Sequence, residues 1–176
     1  MMPQQQHDDA ISGAIPVRHL NHAVLYVRDL ERSVDFYRRA FGFQEIGREG
    51  PMAFLRAAGS ANHHDLALLA VGANAPQPPA GSVGLYHLAW EVPAIDDLAA
   101  AASTLAGLGA LTGMSDHGAT KSLYGRDPDG IEFEVMWLVP RDQWGPYERR
   151  GVIMPLDLQA ELARFGRTPA SAPDER

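Results

Sequence analysis

Two apolar-rich runs of eight residues divide the chain into similar halves. Residues 20–27 (LNHAVLYV) align with residues 85–92 (LYHLAWEV) at an offset of 85 − 20 = 65, and each run has a histidine in third place. Their composition is typical of β-strands. Because internal repetition reflects repeated structural units, this pattern predicts two copies of one supersecondary module.

A helix is predicted after each of these strands. In the first half Asp29 is a suitable N-cap, and Gly42 supplies the left-handed stop. In the second half Asp96 or Asp97 can cap the helix, and Gly109 ends it. The apolar positions that recur at helical spacing are Leu30, Val34, Tyr37 and Phe41 in the first helix and Leu98, Ala102, Leu105 and Leu108 in the second.

After each helix the pattern changes to short apolar runs separated by Gly, Pro and Asn. These runs predict strands at residues 43–46, 53–57 and 65–71, then near Ala110 and at residues 122–126 and 131–139. Each half is therefore βαβββ. The predicted fold class is α+β, with two tandem βαβββ modules.

The repeat also predicts the domain organisation. Residues 1–18 form a polar N-terminal tail, 19–72 the first module, 73–83 a Pro/Gly-rich linker and 84–140 the second module. Residues 141–176 form a C-terminal extension with a short helix, which we expect to pack on the domain or on a partner subunit. Each module is too small to bury a stable core alone, so we predict one domain.

Composition excludes several classes of function. The chain has 176 residues, a net charge of −7 and no cysteine, so nucleic acid is not an expected partner. Without cysteine, disulfides, a thiol nucleophile and Cys-based zinc sites are excluded, and His and carboxylates are the strong metal ligands that remain. We find no signal peptide and no apolar run long enough for a membrane span, and expect a cytoplasmic protein.

Two histidines and one acidic strand are candidates for metal binding. His22 and His87 occupy equivalent positions of the repeat, and pseudo-two-fold pairing of the modules would let them converge. In the strand after the DPDG turn, alternation places Glu132 and Glu134 on one face, opposite apolar residues. Because a buried carboxylate needs a compensating positive charge, two imidazoles and one carboxylate indicate a site suited to Fe(II). Spacing alone leaves Glu132 and Glu134 as alternatives.

The segments that carry these residues resemble a known group of proteins. NHAVLYV, HHDLALL, YHLAWEV and SLYGRDPDGIEFEV, in that order, are similar to the vicinal oxygen chelate superfamily, which includes glyoxalase I, bleomycin-resistance proteins and type I extradiol dioxygenases. The resemblance covers about residues 19–140. It implies that the two modules form one curved-sheet funnel, in which a metal sits.

Compared residue by residue, the sequence is most similar to the extradiol branch. Glyoxalase-like members have a carboxylate ligand on the last strand of the first module, where residues 64–69 (HDLALL) contain no Glu. In the extradiol branch the ligands match His22, His87 and Glu134, the Glu four residues after Gly130. The resemblance further implies an acid/base role for His64. It also implies that Tyr124 and His117, which match catalytic residues of this branch, bind the substrate.

The resemblance thus implies a non-haem Fe(II) dioxygenase that cleaves a catechol-type aromatic diol with O2, with Mn(II), Ni(II) and Zn(II) as alternative metals. We also expect a homodimer, although two modules in one chain can complete a site alone. Two other functions stay open at this point. One is a metal-dependent isomerase or lyase of the glyoxalase type, and the other is a metal-free protein that binds an aromatic compound.

Overall fold

The computed structural model describes residues 14–79 and 81–167 and shows an α+β fold of two tandem βαβββ modules. The first module contains β1 (Ala23–Val27), α1 (Leu30–Phe41), β2 (Gln44–Glu49), β3 (Met52–Arg56) and β4 (Leu66–Ala70). The second contains β5 (Leu88–Glu91), α2 (Ile95–Gly107), β6 (Leu111–Asp116), β7 (Thr120–Arg126) and β8 (Glu132–Leu138). Most of the predicted N-terminal tail and the last nine residues lie outside the described part.

Each module folds into its own sheet with the same topology. The strand order is β1-β4-β3-β2 in the first sheet and β5-β8-β7-β6 in the second. In both sheets the first strand of the module runs parallel to its last strand, and the remaining neighbours are antiparallel. The histidine before β1 and the histidine before β5 therefore occupy equivalent places, each at the start of an edge strand.

The helix ends agree with the sequence pattern at α1 but not at the start of α2. Asp29 caps α1 by accepting a hydrogen bond from the Arg32 N–H at 3.0 Å, and Gly42 adopts a φ of 66°. The predicted caps of α2 were wrong, because Ala94 is the N-cap and Asp96 and Asp97 lie in the first turn. The helix begins earlier because Ile95 is buried in the core and joins the helix. The two carboxylates still interact favourably with the helix dipole there.

The two modules share an apolar contact region between their helices and sheets. Phe41, at the end of α1, packs edge-on against Phe133 of β8 with ring centroids 5.1 Å apart. The same ring lies 6.1 Å from Trp90 of β5, and Phe43 contacts Trp90 at 5.2 Å. Each module thus buries aromatic rings of the other, as expected for modules too small to fold alone.

The DPDG turn before β8 is also tied to the first module. Asp127 accepts hydrogen bonds from the N–H groups of Asp129 and Ile131, both at 2.9 Å, and one from the Tyr37 hydroxyl at 3.2 Å. Asp129 accepts from the Arg28 N–H at 2.9 Å and pairs with the Arg32 guanidinium at 2.7 Å. These contacts hold the start of β8, and so the carboxylates that follow, against α1.

Replacing Asp129 with alanine should destabilise the protein. Its side chain is only 4% exposed, and removing it leaves two guanidinium groups without their shared carboxylate. We expect the free energy of unfolding to fall by about 2 kcal/mol, measured by urea denaturation. Asp142→Ala, at an exposed aspartate in a 3₁₀ helix, is the matched control and should change it little. Equal effects of the two substitutions would contradict the role of Asp129.

The C-terminal extension packs on the second module. Two short 3₁₀ helices (Arg141–Gln143 and Gly145–Glu148) precede β9 (Met154–Pro155), which adds a fifth strand beside β6. The final helix, α3 (Leu158–Phe165), contacts α2, and its Phe165 ring lies 5.1 Å from Trp137. Among the residues described, no helix is both long enough and apolar enough to cross a membrane.

Candidate active site

The acidic strand β8 presents its carboxylates on the open face of the second sheet. Burial alternates along it as predicted: Phe133, Val135 and Trp137 belong to the core, whereas Glu132 and Glu134 point away from it. The two carboxylate side chains remain 17% and 13% exposed, respectively. They are therefore accessible to a ligand but largely removed from bulk water.

His87 lies directly beside these carboxylates, because β5 pairs in parallel with β8. Its Nε2 atom is 3.0 Å from Glu134 Oε2, whereas its Nδ1 atom is 3.6 Å from Glu132 Oε1. Nδ1 is buried and has no hydrogen-bond partner in the described residues. Glu132 also faces Arg126 at 3.7 Å. Of the two carboxylates that the sequence left open, Glu134 is thus the closer partner of His87.

Tyr124 and His117 lie on the same face, next to His87. Tyr124 is opposite Glu134 across the β7–β8 pair, and its ring centroid is 5.8 Å from that of His87. Its hydroxyl is 2.8 Å from His117 Nε2. Burial, followed by the nearby charge of Glu134, raises the pKa of Tyr124, so the phenol keeps its proton at neutral pH.

His22 and His64 form a second group on the first module. Their ring centroids are 4.4 Å apart, and His64 also packs edge-on against Phe54 at 5.1 Å. Burial lowers the pKa of His64, and the neighbouring rings of His22 and His63 lower it further. The lowered pKa favours the neutral imidazole, which is the form that can accept a proton.

A polar turn next to His64 supports this second group. Asp65 accepts hydrogen bonds from Ala57 N–H, the Ser60 hydroxyl and the Asn62 amide at 2.8, 2.6 and 2.8 Å. Burial acts to raise the pKa of Asp65, but these hydrogen bonds outweigh it and the pKa is lowered. Asn62 in turn donates to the Asn21 carbonyl at 2.9 Å.

Asn21 is a residue of this group that the sequence analysis did not single out. Its Oδ1 atom lies 2.9 Å from His22 Nδ1, so a proton on Nδ1 would be donated to the amide oxygen. The sequence offered one indication of their role, because Asn21 directly precedes His22 and Asn62 directly precedes His63. Their role depends on contacts across 41 residues of sequence, which no local pattern reveals.

The predicted site residues thus form two groups. His87, Glu134, Tyr124 and His117 lie together on the second sheet, and His22 and His64 lie together on the first. Among the described residues, no hydrogen bond, ion pair or ring contact joins the two groups, and no cluster of three or more His, Asp or Glu is arranged as a metal site. A small cleft connects the strands that carry them, since His22 and Ala89 both line it.

The donor set agrees with a divalent transition metal. Neutral imidazole nitrogens and one carboxylate oxygen are the ligands that iron, manganese and zinc accept in proteins. His87 provides two nitrogens beside carboxylates: Nε2 lies 3.0 Å from Glu134, and Nδ1, which is buried and has no hydrogen-bond partner in the described residues, lies 3.6 Å from Glu132. His22 offers a second imidazole at the equivalent place in the repeat.

Comparison with known proteins identifies relatives of this chain. Residues 19–135 match the family described as the Glyoxalase/Bleomycin resistance protein/Dioxygenase superfamily. Catechol-2,3-dioxygenase of Bacillus subtilis (strain 168) is 36% identical over 127 residues, which are 72% of this chain and 44% of that protein. The manganese-dependent 2,3-dihydroxybiphenyl 1,2-dioxygenase of Geobacillus genomosp. 3 is 29% identical over 71% of this chain and 38% of its own length.

A solved structure supports the same relationship. The glyoxylase/bleomycin resistance protein/dioxygenase domain from Frankia sp. EAN1pec is 26% identical and superimposes with a TM-score of 0.58, covering 71% of this chain and 95% of that domain. The chain spans less than half the length of the two dioxygenases above.

Proposed function

The chain belongs to the glyoxalase/bleomycin resistance protein/dioxygenase superfamily, and on this basis we propose that it is a metal-dependent extradiol dioxygenase that cleaves a catechol-type aromatic diol with O2. The observation that carries the proposal is the arrangement on the second sheet. There an imidazole, a carboxylate and a phenol, those of His87, Glu134 and Tyr124, lie side by side on an open face. The names of the relatives support the same chemistry.

In this proposal His22, His87 and Glu134 hold the metal, and Fe(II) is the ion. The two diol oxygens would chelate the bound ion, which would supply the redox chemistry with O2. A single carboxylate leaves such a site with a net positive charge, which attracts a diol anion. Mn(II) remains an alternative, since one relative is named as manganese-dependent.

The remaining residues bind the diol and move protons. Tyr124 and His117, joined by a 2.8 Å hydrogen bond, would orient a diol oxygen beside Glu134. The imidazole of His64 would accept a proton from the substrate side and return it to the product. Phe54, packed against His64, would provide an apolar surface for the aromatic ring.

Ring cleavage is the direct test of the proposal. Protein loaded anaerobically with Fe(II), given a catechol and then O2, should consume about one O2 per ring and form a yellow ring-fission product. Monophenols should not react, because they cannot chelate and would leave a polar group of the site unpaired. The measurement combines an oxygen electrode with absorbance, and a parallel sample loaded with Mn(II) compares the two metals.

The other outcomes identify the rival functions. Tight binding of catechols without O2 uptake or colour, with metal verified in the protein, would replace the dioxygenase by a protein that sequesters aromatic compounds. Isomerase or lyase activity without O2 consumption would favour the glyoxalase type of chemistry. The proposal includes a homodimer in the cytoplasm, and sedimentation analysis of the purified chain tests the dimer.

A further inference from the structure

A backbone carbonyl of the C-terminal extension contacts a residue of the candidate active site. The segment after the second 3₁₀ helix places the Val152 carbonyl 2.7 Å from His117 Nδ1. The other ring nitrogen, Nε2, faces the Tyr124 hydroxyl at 2.8 Å. His117 is thus held between the extension and the residue that would bind the diol.

A carbonyl oxygen can only accept, so this contact determines where the imidazole carries its proton. His117 must have its N–H at Nδ1 to donate to Val152, and the Nε2 atom of that tautomer is an acceptor. With this tautomer, the Tyr124 hydroxyl would be the donor in its 2.8 Å contact with Nε2. The lone pairs of the Tyr124 oxygen are left free to accept a hydrogen bond from a hydroxyl of the substrate.

Contacts on both sides of the loop between β6 and β7 hold His117 and the C-terminal extension in fixed relative positions. The Tyr147 ring lies so close to Gly118 that a Cβ atom there would clash with the ring. On the sheet side, Asp116 accepts from the Gly118 N–H at 2.7 Å and pairs with the buried Lys121 at 2.6 Å. β9 adds the pairing of Met154 with Asp116.

From these contacts we propose that the Val152 carbonyl is a positioning group for the active site. It fixes the Nδ1–H tautomer of His117, and the Tyr124 hydroxyl therefore points its proton toward Nε2. The Tyr124 oxygen is then able to accept a hydrogen bond from the diol. The inference rests on the proposed function for its catalytic consequence only. The tautomer itself is a property of the protein without metal or substrate.

The tautomer can be read directly by nitrogen NMR. In metal-free protein labelled with ¹⁵N-histidine, long-range proton–nitrogen correlations should show His117 with a protonated Nδ1 and an unprotonated Nε2 near pH 7.5. His117→Gln identifies the signal by its disappearance. A His117 ring protonated only at Nε2 would overturn the proposal.

The contribution of the carbonyl is tested by weakening it while all side chains remain. Incorporating the α-hydroxy acid analogue of isoleucine at position 153 converts the Val152–Ile153 amide into an ester, whose carbonyl is a poorer acceptor. We expect a mixture of tautomers and a fall in kcat of about fivefold to tenfold, with KM and bound metal unchanged. The matched control is an ester at the exposed Arg150, which should alter neither. Unchanged kcat and tautomer in the position 153 ester would refute the role of Val152.

A pair of glycine substitutions tests the contact between Val152 and His117 independently of the ester. Gly118→Ala would force Tyr147 away from the loop, whereas Gly145→Ala has the same left-handed strain with nothing within 4 Å. The proposal is supported if His117 shows mixed tautomers in Gly118→Ala but not in Gly145→Ala, and if adding Tyr147→Ala to Gly118→Ala partly restores the Nδ1–H tautomer. The same tautomer in both glycine variants would contradict it. If the wild-type tautomer is as proposed but no diol is cleaved, the positioning stands and the dioxygenase assignment fails.

Discussion

Replacing Glu134 with alanine should abolish stoichiometric metal binding, while the same change at Glu132 should not. Glu134 Oε2 lies 3.0 Å from His87 Nε2, whereas Glu132 is 3.6 Å from the other ring nitrogen and is shared with Arg126. Loss of a carboxylate that binds the metal directly should weaken affinity by more than the ~10- to 100-fold that follows from losing a supporting residue. Fe(II) content by elemental analysis and Mn(II) affinity by calorimetry measure the effect.

Glu132→Ala is a close control, because it removes the same chemical group two positions along the same face of β8. His87→Ala should behave like Glu134→Ala, since it removes the other half of the pair. Thermal unfolding of each metal-free variant separates loss of the metal from loss of the fold. If Glu134→Ala retains its metal and Glu132→Ala loses it, the ligand is Glu132.

Sequence reasoning predicted the modules well because their signals are local. The repeat of an apolar run with a histidine in third place, the Asp29 cap and the alternation along β8 each involve neighbouring residues. The strand boundaries differ by a few residues where turn contacts decide them. The first run, for example, begins at Leu20, but Leu20 is 74% exposed and β1 begins at Ala23.

The parts that the sequence did not predict depend on distant contacts. β9 has two residues, one of them a proline, and forms only because β6 offers a free edge. The partner of His117 is a backbone carbonyl, which every residue possesses, so no residue type could have indicated Val152. The pairing of His22 with His64 likewise results from the turn that Asp65 and Asn62 stabilise.

His64 should be required for turnover but not for metal binding. Its ring lies against His22 and Phe54, at ring distances of 4.4 and 5.1 Å, and it contacts neither His87 nor Glu134 in the described structure. His64→Phe keeps an aromatic ring in this position, so the first module should pack as before. Metal content and catechol affinity should be preserved, whereas kcat should fall by roughly 10²-fold, as expected for a lost general acid/base.

The neighbouring histidine provides the matched control for this substitution. His63 is exposed and lies beside His64, with their Nδ1 atoms 3.1 Å apart, so His63→Phe makes the same chemical change one residue away. It should retain most of the turnover, because it removes only an exposed neighbour and leaves the His64 imidazole in place. If instead His64→Phe releases the metal, His64 is a ligand. The first module would then contribute two imidazoles, and the isomerase type of chemistry would become the better explanation of the site.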